Sequence, residues 1–592
     1  MRARRERRPA RPVAAAETDT REWTFETESD AQSLISRALS LFRWLPSSSS
    51  SPPLSPSSSS SPASPSAVSS GVVSASGLRA VRPRRPEGSG REIILQAFNW
   101  DSCRDAGAVG GGVGDVGLDA LRARWTRRGK GRAGRGLRVG GWRSGAGGGR
   151  SPSGGEPGRP SAGERPSCWW DRVSAESARI AAMGYTAVWL PPPTTSVSAE
   201  GYLPLDLYDL GSRYGSEAAL RRALSSLHSQ NVLALADAVL NHRCASGQDG
   251  EGRWNAFGGP LDWDASAVVS DQRGAFGGRG AAKGRREEVF GPAPNLDHTN
   301  ARVKADLQSW LRWLREDVGF DGLRLDYVRG FSGRHVADYL AAAEPALAVG
   351  EFWDALAYDP DTGAPSVDQD AHRQRLVDWI HDAGDAATAF DTTLKGVLHA
   401  AIERKEYWRL GVGNHHHGHH HGHHHGHHHG HHHRSHAHHA GASNNASLPL
   451  SPPGLAGWWP SRAVTFVENH DTGSSQRHWP FPQHGLEQGY AYILTHPGTP
   501  TVFWDHAFDE GAGRAGRPLA EAVARLVALR KRCGIHCRST VRILEARADA
   551  YAAEIDDRLV VKIGPGQFAP ADERFKLVDW GFQWAAWIRV AK

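Results

Sequence analysis

The stretch GFDGLRLDYVRG, residues 319–330, decides the fold of this chain. Its apolar centre is typical of a buried β-strand, yet it contains Arg324 and Asp326, two residues apart. Side chains alternate across a strand, so both charges project from the same face. The pattern therefore predicts a strand on which an ionised carboxylate is held beside a fixed cation.

Short apolar runs and amphipathic helical segments alternate on both sides of this strand. Before it come the strand-like runs IILQAF, YTAVWLPPP and NVLALADAVLNH, and after it come ALAVGE, TAFDTT, AVTFVENHD and TPTVFW. Helical segments such as SEAALRRALSSLHSQ and ARVKADLQSWLRWLRED separate them. Eight strand and helix units predict an α/β fold, the (β/α)8 TIM barrel.

The predicted barrel spans residues 92–535 and carries a loop domain, residues 238–297, inserted after its third strand. The alternation and turns of RILEARADAYAAEIDDRLVVKIG predict a C-terminal antiparallel β-sheet domain at residues 536–592. Residues 1–91 contain a long Ser/Pro-rich run, which cannot bury enough apolar area to offset chain entropy. We expect this N-terminal region to be disordered.

A Gly/Arg-rich insertion, residues 104–167, follows the first strand and shows no helix or strand period. Its 12 Arg and one Lys against five acidic residues give a charge of +8, whereas the whole chain carries +6. The remainder of the chain is therefore slightly acidic, and the basic pI of the whole chain is due to this insertion. A solvated insertion, an RNA-binding segment and a translated intron are the alternatives. Because no aromatic platform accompanies the arginines, we expect no nucleic-acid partner.

A His-rich loop, residues 412–450, contains 18 of the chain's 31 histidines, all between His415 and His439. Such a tract binds Ni, Zn or Cu in vitro, but a repeated HHHG offers a degenerate array rather than a few fixed ligands. We interpret it as a repeat expansion in a surface loop. Because it follows a helix and precedes a strand, we expect it on the barrel face opposite to catalysis.

Composition and the N-terminal sequence bear on the compartment. The five cysteines show neither metal-ligand spacing nor a disulfide framework, so we expect structural thiols. No run of about 18 apolar residues is present, and we expect no membrane association. The basic start MRARRERRPARPVAAA and the later Ser-rich run suit a transit peptide, although ETDTREWTFETESD is too acidic for one. The predicted location is the plastid (chloroplast), with the cytoplasm as the alternative.

Polar residues follow four of the predicted strands, where the catalytic groups of a TIM barrel lie. One such residue alone is more often a cap or turn residue than a catalytic one. Several carboxylates and two histidines that converge on one rim instead predict a catalytic site. These strand-end residues are Asp237, Asn241, His242, Arg324, Asp326, Glu351, His470 and Asp471.

The same segments carry a family resemblance. DAVLNH, GLRLDYVRG, GEFWD and FVENHDTGSS resemble the four signature regions of the α-amylase superfamily. FNWD, WLPPPTTSVSAEGYLP, GWWPSRAVTF and KIGPG are similar to plant α-amylases, and most of all to the plastid-type enzymes. The resemblance implies a monomer that acts on starch and related α-glucans, by retaining endo-hydrolysis of internal α-1,4-glucosidic bonds.

The resemblance also implies catalytic roles that agree with the chemistry. Retaining glycosidases use two carboxyl groups about 5 to 5.5 Å apart, one as nucleophile and one as general acid. Asp326 fits the nucleophile, since Arg324 on the same face would keep it ionised and oriented. Glu351 fits the acid/base that protonates the leaving oxygen. Asp471 matches the third family carboxylate, which binds sugar hydroxyls in the transition state.

Further residues are expected to bind the polysaccharide. Histidines would donate hydrogen bonds to the glucose at the cleavage point, and aromatic rings would stack on sugar faces. One tyrosine matches the residue that stacks under that glucose, an arginine and a tryptophan match the product side, and a tryptophan pair matches a surface site for starch granules. The predicted substrate-binding residues are Tyr202, His242, Arg324, Arg329, Trp353, His470, Asp237, Trp458 and Trp459.

Calcium is the cofactor that the resemblance implies, as the ion that pins the loop domain against the barrel. Calcium takes six to eight oxygen ligands and favours carboxylates. Here an asparagine stands where many relatives have an aspartate, and Arg285 falls near the position of another expected carboxylate. We therefore expect a site of reduced affinity. Its predicted ligands are Asn241, Asn295 and the backbone carbonyl of Gly330.

Two other functions remain open from the sequence. A debranching or transglycosylating relative would share the carboxylates but act on other bonds, and SVSAEGYLP and GWWP argue against it. A catalytically silent starch-binding protein would need only the aromatic residues. Here every expected catalytic position is filled, which favours the enzyme.

Overall fold

The structure is a computed structural model that describes residues 87–104, 167–270, 276–284, 293–412, 450–473, 475–509 and 519–590. Most of the predicted N-terminal disordered region, of the Gly/Arg-rich insertion and of the His-rich loop lies outside the described residues. Within the described part of the chain, no helix has the length and apolar character needed to cross a membrane.

Eight parallel strands close into a barrel, in the order β1-β12-β11-β10-β9-β8-β5-β2, which confirms the predicted fold. Two short hairpins, β3 with β4 and β6 with β7, lie outside it. The strands in chain order are β1 (Ile94–Gln96), β2 (Ala187–Trp189), β3 (Thr195–Ser196), β4 (Pro204–Asp206), β5 (Leu233–Val239), β6 (Gly247–Gln248), β7 (Trp254–Ala256), β8 (Gly322–Asp326), β9 (Ala348–Gly350), β10 (Thr388–Phe390), β11 (Ala463–Phe466), β12 (Thr499–Phe503), β13 (Val541–Ala546), β14 (Tyr551–Ile555), β15 (Leu559–Ile563), β16 (Phe575–Gly581) and β17 (Trp584–Arg589).

Helices surround the barrel, and several begin at a side chain that caps them. Ser216 accepts a hydrogen bond from the Ala219 N–H, and Asn300 and Asp391 cap two other helices in the same way. The helices are α1 (Trp169–Ala182), α2 (Glu217–Ser229), α3 (Ala301–Trp313), α4 (Gly333–Ala343), α5 (Asp370–Asp382), α6 (Thr392–Glu403), α7 (Gly454–Trp458), α8 (Leu486–Thr495), α9 (Trp504–Phe508) and α10 (Leu519–Cys533).

Strand register determines which polar residues become neighbours. All seven residues of β5 are buried, because helices cover the outside of the barrel and side chains fill its inside. In the pairing of β5 with β8, Asp237 lies opposite Arg324 and Val239 lies opposite Asp326. On the other side of β8, Leu325 pairs with Gly350, so the next residue, Glu351, emerges beside Asp326.

The loop segment between β5 and α3 is held together, and joined to the hairpin strand β4, by the buried side chain of Arg243. Its guanidinium donates to the carbonyl oxygens of Leu205 at 2.9 Å, Leu261 at 2.6 Å and Gly258 at 2.7 Å. An antiparallel bridge between His242 and Asn295 closes the segment at its base. These contacts bring both ends of the predicted loop domain to the rim of the barrel.

The C-terminal residues form the predicted antiparallel sheet, with strand order β13-β14-β15-β17-β16. It packs on the barrel helices through polar as well as apolar contacts. Tyr551 Oη lies 2.9 Å from His496 Nε2, and Trp584 Nε1 donates to Glu487 Oε2 at 3.0 Å. The sheet domain is thereby joined to α8, the helix between β11 and β12.

All five cysteines are free thiols. Four of them, Cys103, Cys244, Cys533 and Cys537, are buried, whereas Cys168 is partly exposed. Burial raises the pKa of Cys103 to about 12, so its thiol stays protonated at neutral pH. These observations agree with the expected structural role.

Candidate active site

Arg324 lies at the centre of a buried charge cluster at the carboxyl end of the barrel strands. Its Nη1 donates to Asp237 Oδ1 at 2.8 Å and to Asp326 Oδ1 at 2.7 Å. Its Nη2 forms an ion pair with Glu351 Oε2 at 2.8 Å. One guanidinium, 1% exposed, therefore holds three carboxyl groups that come from three adjacent strands.

The backbone turns sharply immediately after Asp326. Tyr327 has a φ of 45°, a left-handed conformation that is uncommon for a residue other than glycine. In this conformation the Tyr327 N–H donates to Glu351 Oε2 at 3.2 Å. The strained turn thus joins the end of β8 to the glutamate that follows β9, and backbone strain of this kind is common at functional sites.

Asp237 is the most deeply buried carboxylate of the cluster, at 1% exposed. Besides Arg324, it accepts hydrogen bonds from Trp189 Nε1 at 3.0 Å and from Tyr202 Oη at 2.9 Å. Sequence reasoning expected Asp237 to bind substrate. These three protein donors show that Asp237 holds Arg324, Trp189 and Tyr202, and its contact with substrate stays a prediction.

Three parallel rings line the cleft next to these carboxyl groups. The planes of Trp100, Tyr202 and His470 lie within 7° of one another, with the Tyr202 and His470 centroids 5.2 Å apart. His470 Nδ1 lies 3.0 Å from the Gln96 side-chain amide nitrogen, which donates to it. The ring proton is then on Nε2, which lies 3.4 Å from Asp471 Oδ2.

The sequence predicted that Arg324 keeps Asp326 ionised and oriented, and the structure contains the contact that would orient it. Burial raises the pKa of Asp326, and although Arg324 opposes that effect, Glu351 and Asp237 add to it. Three carboxyl groups contact this one cation, and its attraction does not offset the desolvation of Asp326 and the repulsion from its neighbours. Arg324 therefore orients Asp326, while burial and the neighbouring carboxyl groups favour the neutral form of Asp326.

Asp471 completes the set of four carboxyl groups. Burial and the nearby Glu351 raise its pKa to about 7, despite the opposing charge of Arg324. The histidines beside the carboxyl groups are neutral, because burial lowers the pKa of His470 well below its ordinary value. Burial therefore favours the neutral forms of both Asp471 and His470.

His242 is held by the protein at both ring nitrogens. Its Nε2 lies 2.8 Å from the Tyr202 carbonyl oxygen, which can only accept, so Nε2 carries the proton. Its Nδ1 accepts from Asn241 Nδ2 at 3.2 Å, and burial lowers the pKa of His242 to about 4. The expected donation to glucose would require His242 to release Tyr202. As the ring lies here, it positions the Tyr202 backbone.

The predicted product-side residues lie beside Glu351. Arg329 Nη1 is 3.2 Å from Asp354 Oδ1, and its side chain is partly exposed. Trp353 packs edge-on against Trp479, with centroids 6.3 Å apart, and against Phe466. Both tryptophans are partly exposed, and together they form one aromatic wall of the cleft.

The predicted surface pair lies at the end of α7, apart from the carboxyl cluster. The Arg373 guanidinium is 3.9 Å from the centroid of Trp458, while Trp459 lies near His381 and Arg462 at 5.2 and 5.3 Å. Both tryptophans are partly buried against helix side chains. Each therefore combines a packing contact with an accessible edge.

Three residues of the site were missed by sequence reasoning, namely Gln96, Trp100 and Trp189. Gln96 is the last residue of β1 and binds His470, while Trp189 is the last residue of β2 and binds Asp237. A search for polar and aromatic residues at the ends of all eight strands, rather than only the charged ones, would have found both. Trp100 follows β1 by four residues, and its signal was its place in FNWD, one of the segments similar to plant α-amylases.

The residues predicted to bind calcium do come together. Asn241 Nδ2 donates to Asn295 Oδ1 at 3.1 Å, and a Cβ on Gly330 would stand 2.0 Å from Asn241 Oδ1. These residues supply neutral oxygens only, fewer than the six that calcium needs. Within the described ranges, no group of three or more His, Cys, Asp or Glu could hold a metal. Arg285 and its neighbours lie outside the described residues.

Comparisons with known proteins bear on this geometry. Residues 178–250 match the family model described as the catalytic domain of alpha amylase, and residues 532–588 match the alpha-amylase C-terminal beta-sheet domain. The chain is 40% identical over 420 residues to "Probable alpha-amylase 2" of Arabidopsis thaliana, covering 71% of this chain and 90% of that protein. It is 46% identical over 402 residues to "Alpha-amylase 3, chloroplastic" of the same plant, covering 68% of this chain and 40% of that protein.

The chain therefore spans less than half the length of the chloroplastic relative. Among solved structures, an alpha-amylase from Geobacillus thermoleovorans complexed with acarbose is 17% identical, with a TM-score of 0.46. That match covers 71% of this chain and 92% of that one.

Proposed function

This chain belongs to the α-amylase family, and on that premise we propose that it hydrolyses internal α-1,4-glucosidic bonds of starch with retention of configuration. The observation that carries the proposal is the Arg324 guanidinium, which contacts Asp326 through one nitrogen and Glu351 through the other. Two carboxyl groups that share one guanidinium suit the separation of about 5 to 5.5 Å in retaining glycosidases.

The first chemical step assigns different tasks to the two carboxyl groups. An oxygen of ionised Asp326 attacks C1 of the glucose at the cleavage point, and the bond from C1 to the glycosidic oxygen breaks. The electron pair of that bond goes to the departing oxygen, which takes the proton of Glu351. A glycosyl ester on Asp326 and a shortened glucan chain result.

The second step reverses these tasks. Glu351, now a carboxylate, takes a proton from water while the water oxygen attacks C1. The ester bond to Asp326 breaks, its electron pair returns to the carboxylate, and Glu351 again holds a proton. Two displacements at the same carbon leave the configuration at C1 unchanged.

Neighbouring residues would prepare the site for these steps. Asp471 would bind hydroxyls of the reacting glucose as positive charge develops at C1. Tyr202, held through its hydroxyl by Asp237 and through its carbonyl by His242, would stack against the same sugar. His470 would donate from Nε2 to the sugar, since Gln96 fixes the opposite ring nitrogen as an acceptor.

Partners, location and calcium complete the proposal. We take the protein to be a monomer that acts on starch and related α-glucans, and the name of the chloroplastic relative supports a plastid location. Trp458 and Trp459 are proposed to dock on starch granules. A weak calcium site at Asn241 and Asn295 is also proposed, and no catalytic step depends on it.

Replacing each carboxyl group tests the assignment. With soluble starch as substrate, Asp326→Asn and Glu351→Gln are expected to reduce reducing-end release by several orders of magnitude. Asp378→Asn is the matched control, since Asp378 is an exposed carboxylate of α5 outside the cleft. Activity within about tenfold of wild type in either site variant would overturn the roles.

The bond and the mode of attack are tested with the wild-type enzyme. Iodine colour is expected to fall faster than reducing ends appear, because internal cleavage shortens long chains first. NMR of the initial product should show the α-anomer. If reducing ends appear because α-1,6 bonds are cleaved while the α-1,4 bonds stay intact, the protein is instead a debranching enzyme.

A further inference from the structure

The segment that follows Asp471, residues 475–482, is attached to the protein at three points. The His478 N–H donates to the Asp471 carbonyl oxygen at 3.1 Å. The Trp479 carbonyl oxygen accepts from Lys395 Nζ at 3.0 Å, and the Phe481 N–H donates to Glu468 Oε1 at 2.6 Å. We call residues 475–482 the Trp479 segment.

Lys395 is a wholly buried lysine, 0% exposed, on the inner face of α6. Its Nζ lies 3.7 Å from the ring centroid of Trp479 and 5.9 Å from that of Phe481. A buried ammonium is costly unless it is compensated, and here one carbonyl and two aromatic faces supply compensation. All of these partners belong to the Trp479 segment.

Helix α6 is shaped to receive this segment. A Cβ on Gly396 would stand 3.0 Å from Trp479 Cη2 and 2.2 Å from Leu356 Cδ1, so only glycine leaves room for both side chains. One turn after Lys395, the ring of His399 stacks on Trp479 at 5.5 Å, and its Nε2 lies 3.1 Å from Glu403 Oε2. Trp479 therefore lies flat against the helix.

The backbone before Asp471 is anchored by an ion pair between Glu468 and His506. Glu468 precedes Asp471 by three residues and is buried. Its Oε2 lies 3.0 Å from His506 Nε2 on α9, while its Oε1 holds Phe481. The backbone on both sides of Asp471 is thus connected to one buried cluster. Within it, burial lowers the pKa of Lys395 to about 7, and the carboxylates of Glu468 and Glu403 oppose this effect.

We propose that Lys395 is a positioning residue, which fixes the Trp479 segment and through it the carboxyl group of Asp471. The connection runs from Lys395 Nζ to the Trp479 carbonyl, along one peptide bond to His478, and from the His478 N–H to the Asp471 carbonyl. Lys395 itself is buried away from the sugar. The inference rests on the proposed function, because it concerns the geometry of a carboxyl group that acts in the transition state.

Kinetics separates a positioning role from a purely structural one. Lys395→Met keeps the apolar stem but removes the donor and the charge. Displacement of a catalytic group by about 1 Å can cost about 100-fold in rate, so kcat on starch is expected to fall by about 30- to 100-fold. KM should change by less than about threefold, because an interaction made only in the transition state is lost.

Lys562→Met is the matched control. Lys562 is a lysine that, like Lys395, donates to a backbone carbonyl, that of Gly564, but it is only partly buried and lies in the C-terminal sheet. This variant should keep kcat and KM at wild-type values. Both variants are assayed after their folded fraction has been measured by circular dichroism and size exclusion, so that kcat refers to folded protein.

Lys395→Gln provides a second test in case the Lys395→Met variant does not fold. Glutamine retains a donor but reaches less far and carries no charge, and we expect at least a tenfold loss of kcat with KM again little changed. If either folded variant has wild-type kcat, or if kcat and KM change together as in a loosened fold, the positioning role is overturned. An inactive wild-type enzyme would overturn the proposed function itself, whereas active wild type with an unaffected variant overturns this inference alone.

Discussion

Glu351 Oε2 lies 2.8 Å from Arg324 Nη2, on the same guanidinium that holds Asp326 through Nη1. The two carboxyl groups to which we assign different chemical tasks are therefore oriented by one planar cation. A guanidinium can contact two carboxylates at fixed angles, whereas an ammonium acts as a compact point charge. The geometry of the pair depends on the fork of Arg324 and not only on its charge.

Substituting Arg324→Lys is expected to lower kcat by at least about 100-fold, because one carboxyl group loses its partner while the charge is kept. Starch hydrolysis by purified enzyme measures the effect. Arg530→Lys is the control, since Arg530 is equally buried but donates only to the carbonyls of Leu494, His496 and Gly498. Arg530→Lys should lower the melting temperature and leave kcat of the folded enzyme intact. Equal kcat values for the two variants would contradict the role of Arg324.

Replacing Asp471→Asn is expected to change how stability depends on pH. The pKa of Asp471 is raised from its ordinary value to about 7 in the folded protein. The stability linked to its bound proton is therefore complete below the unfolded pKa, near 4, and is lost as the pH rises through about 7. The melting temperature of Asp471→Asn relative to wild type should accordingly increase between pH 5 and pH 8. If the melting temperatures of wild type and Asp471→Asn change equally with pH, the raised pKa of Asp471 is contradicted.

Tyr202→Phe removes the hydroxyl that donates a hydrogen bond to Asp237 at 2.9 Å. It leaves a buried carboxylate short of one donor, at a cost of about 1 to 3 kcal/mol. We expect kcat/KM to fall about tenfold and the melting temperature to drop. Tyr202→Ala should lose further activity because the ring is absent as well. A phenylalanine variant with wild-type stability would show that Asp237 does not depend on Tyr202.

Calcium is expected to bind weakly to chelator-treated protein, since the described ligands at the site are neutral oxygens. Titration calorimetry should detect binding only at high micromolar to millimolar calcium, and the melting temperature should rise to a plateau over the same range. Asn295→Asp adds a carboxylate and should tighten binding by about tenfold. If neither protein gives binding heat or a shifted melting temperature, the site does not exist.

The contact between Arg324 and Asp326 was predictable from sequence, because it depends only on the two-residue period of a strand. The raised pKa of Asp326 was not predictable in the same way. It depends on burial and on Asp237 and Glu351, which the register of neighbouring strands brings next to it. Pairs within one element follow from local geometry, whereas the sum of charges around a buried group needs the tertiary structure.

Residues that act through other residues were the hardest to identify. Nothing in the local sequence distinguishes Lys395 from a surface lysine of an amphipathic helix. It is buried because α6 is covered on nearly all sides, and eleven of its twelve residues are buried. His242 was identified from its motif, which also supplies its partner Asn241, but its contact with the Tyr202 carbonyl comes from the fold around it.

The barrel closes between the first strand and the last, with Gln96 of β1 opposite Phe503 of β12. On the ribosome, which adds about 5 to 20 residues per second, β1 must wait on the order of tens of seconds before its final neighbour is synthesised. Until then β1 has an open edge, and Gln96 cannot be fixed beside His470. Gln96, which sets the His470 tautomer, thus lies on the barrel strand that is synthesised first and paired on both edges last. Closure of the barrel and completion of the site are therefore the same event.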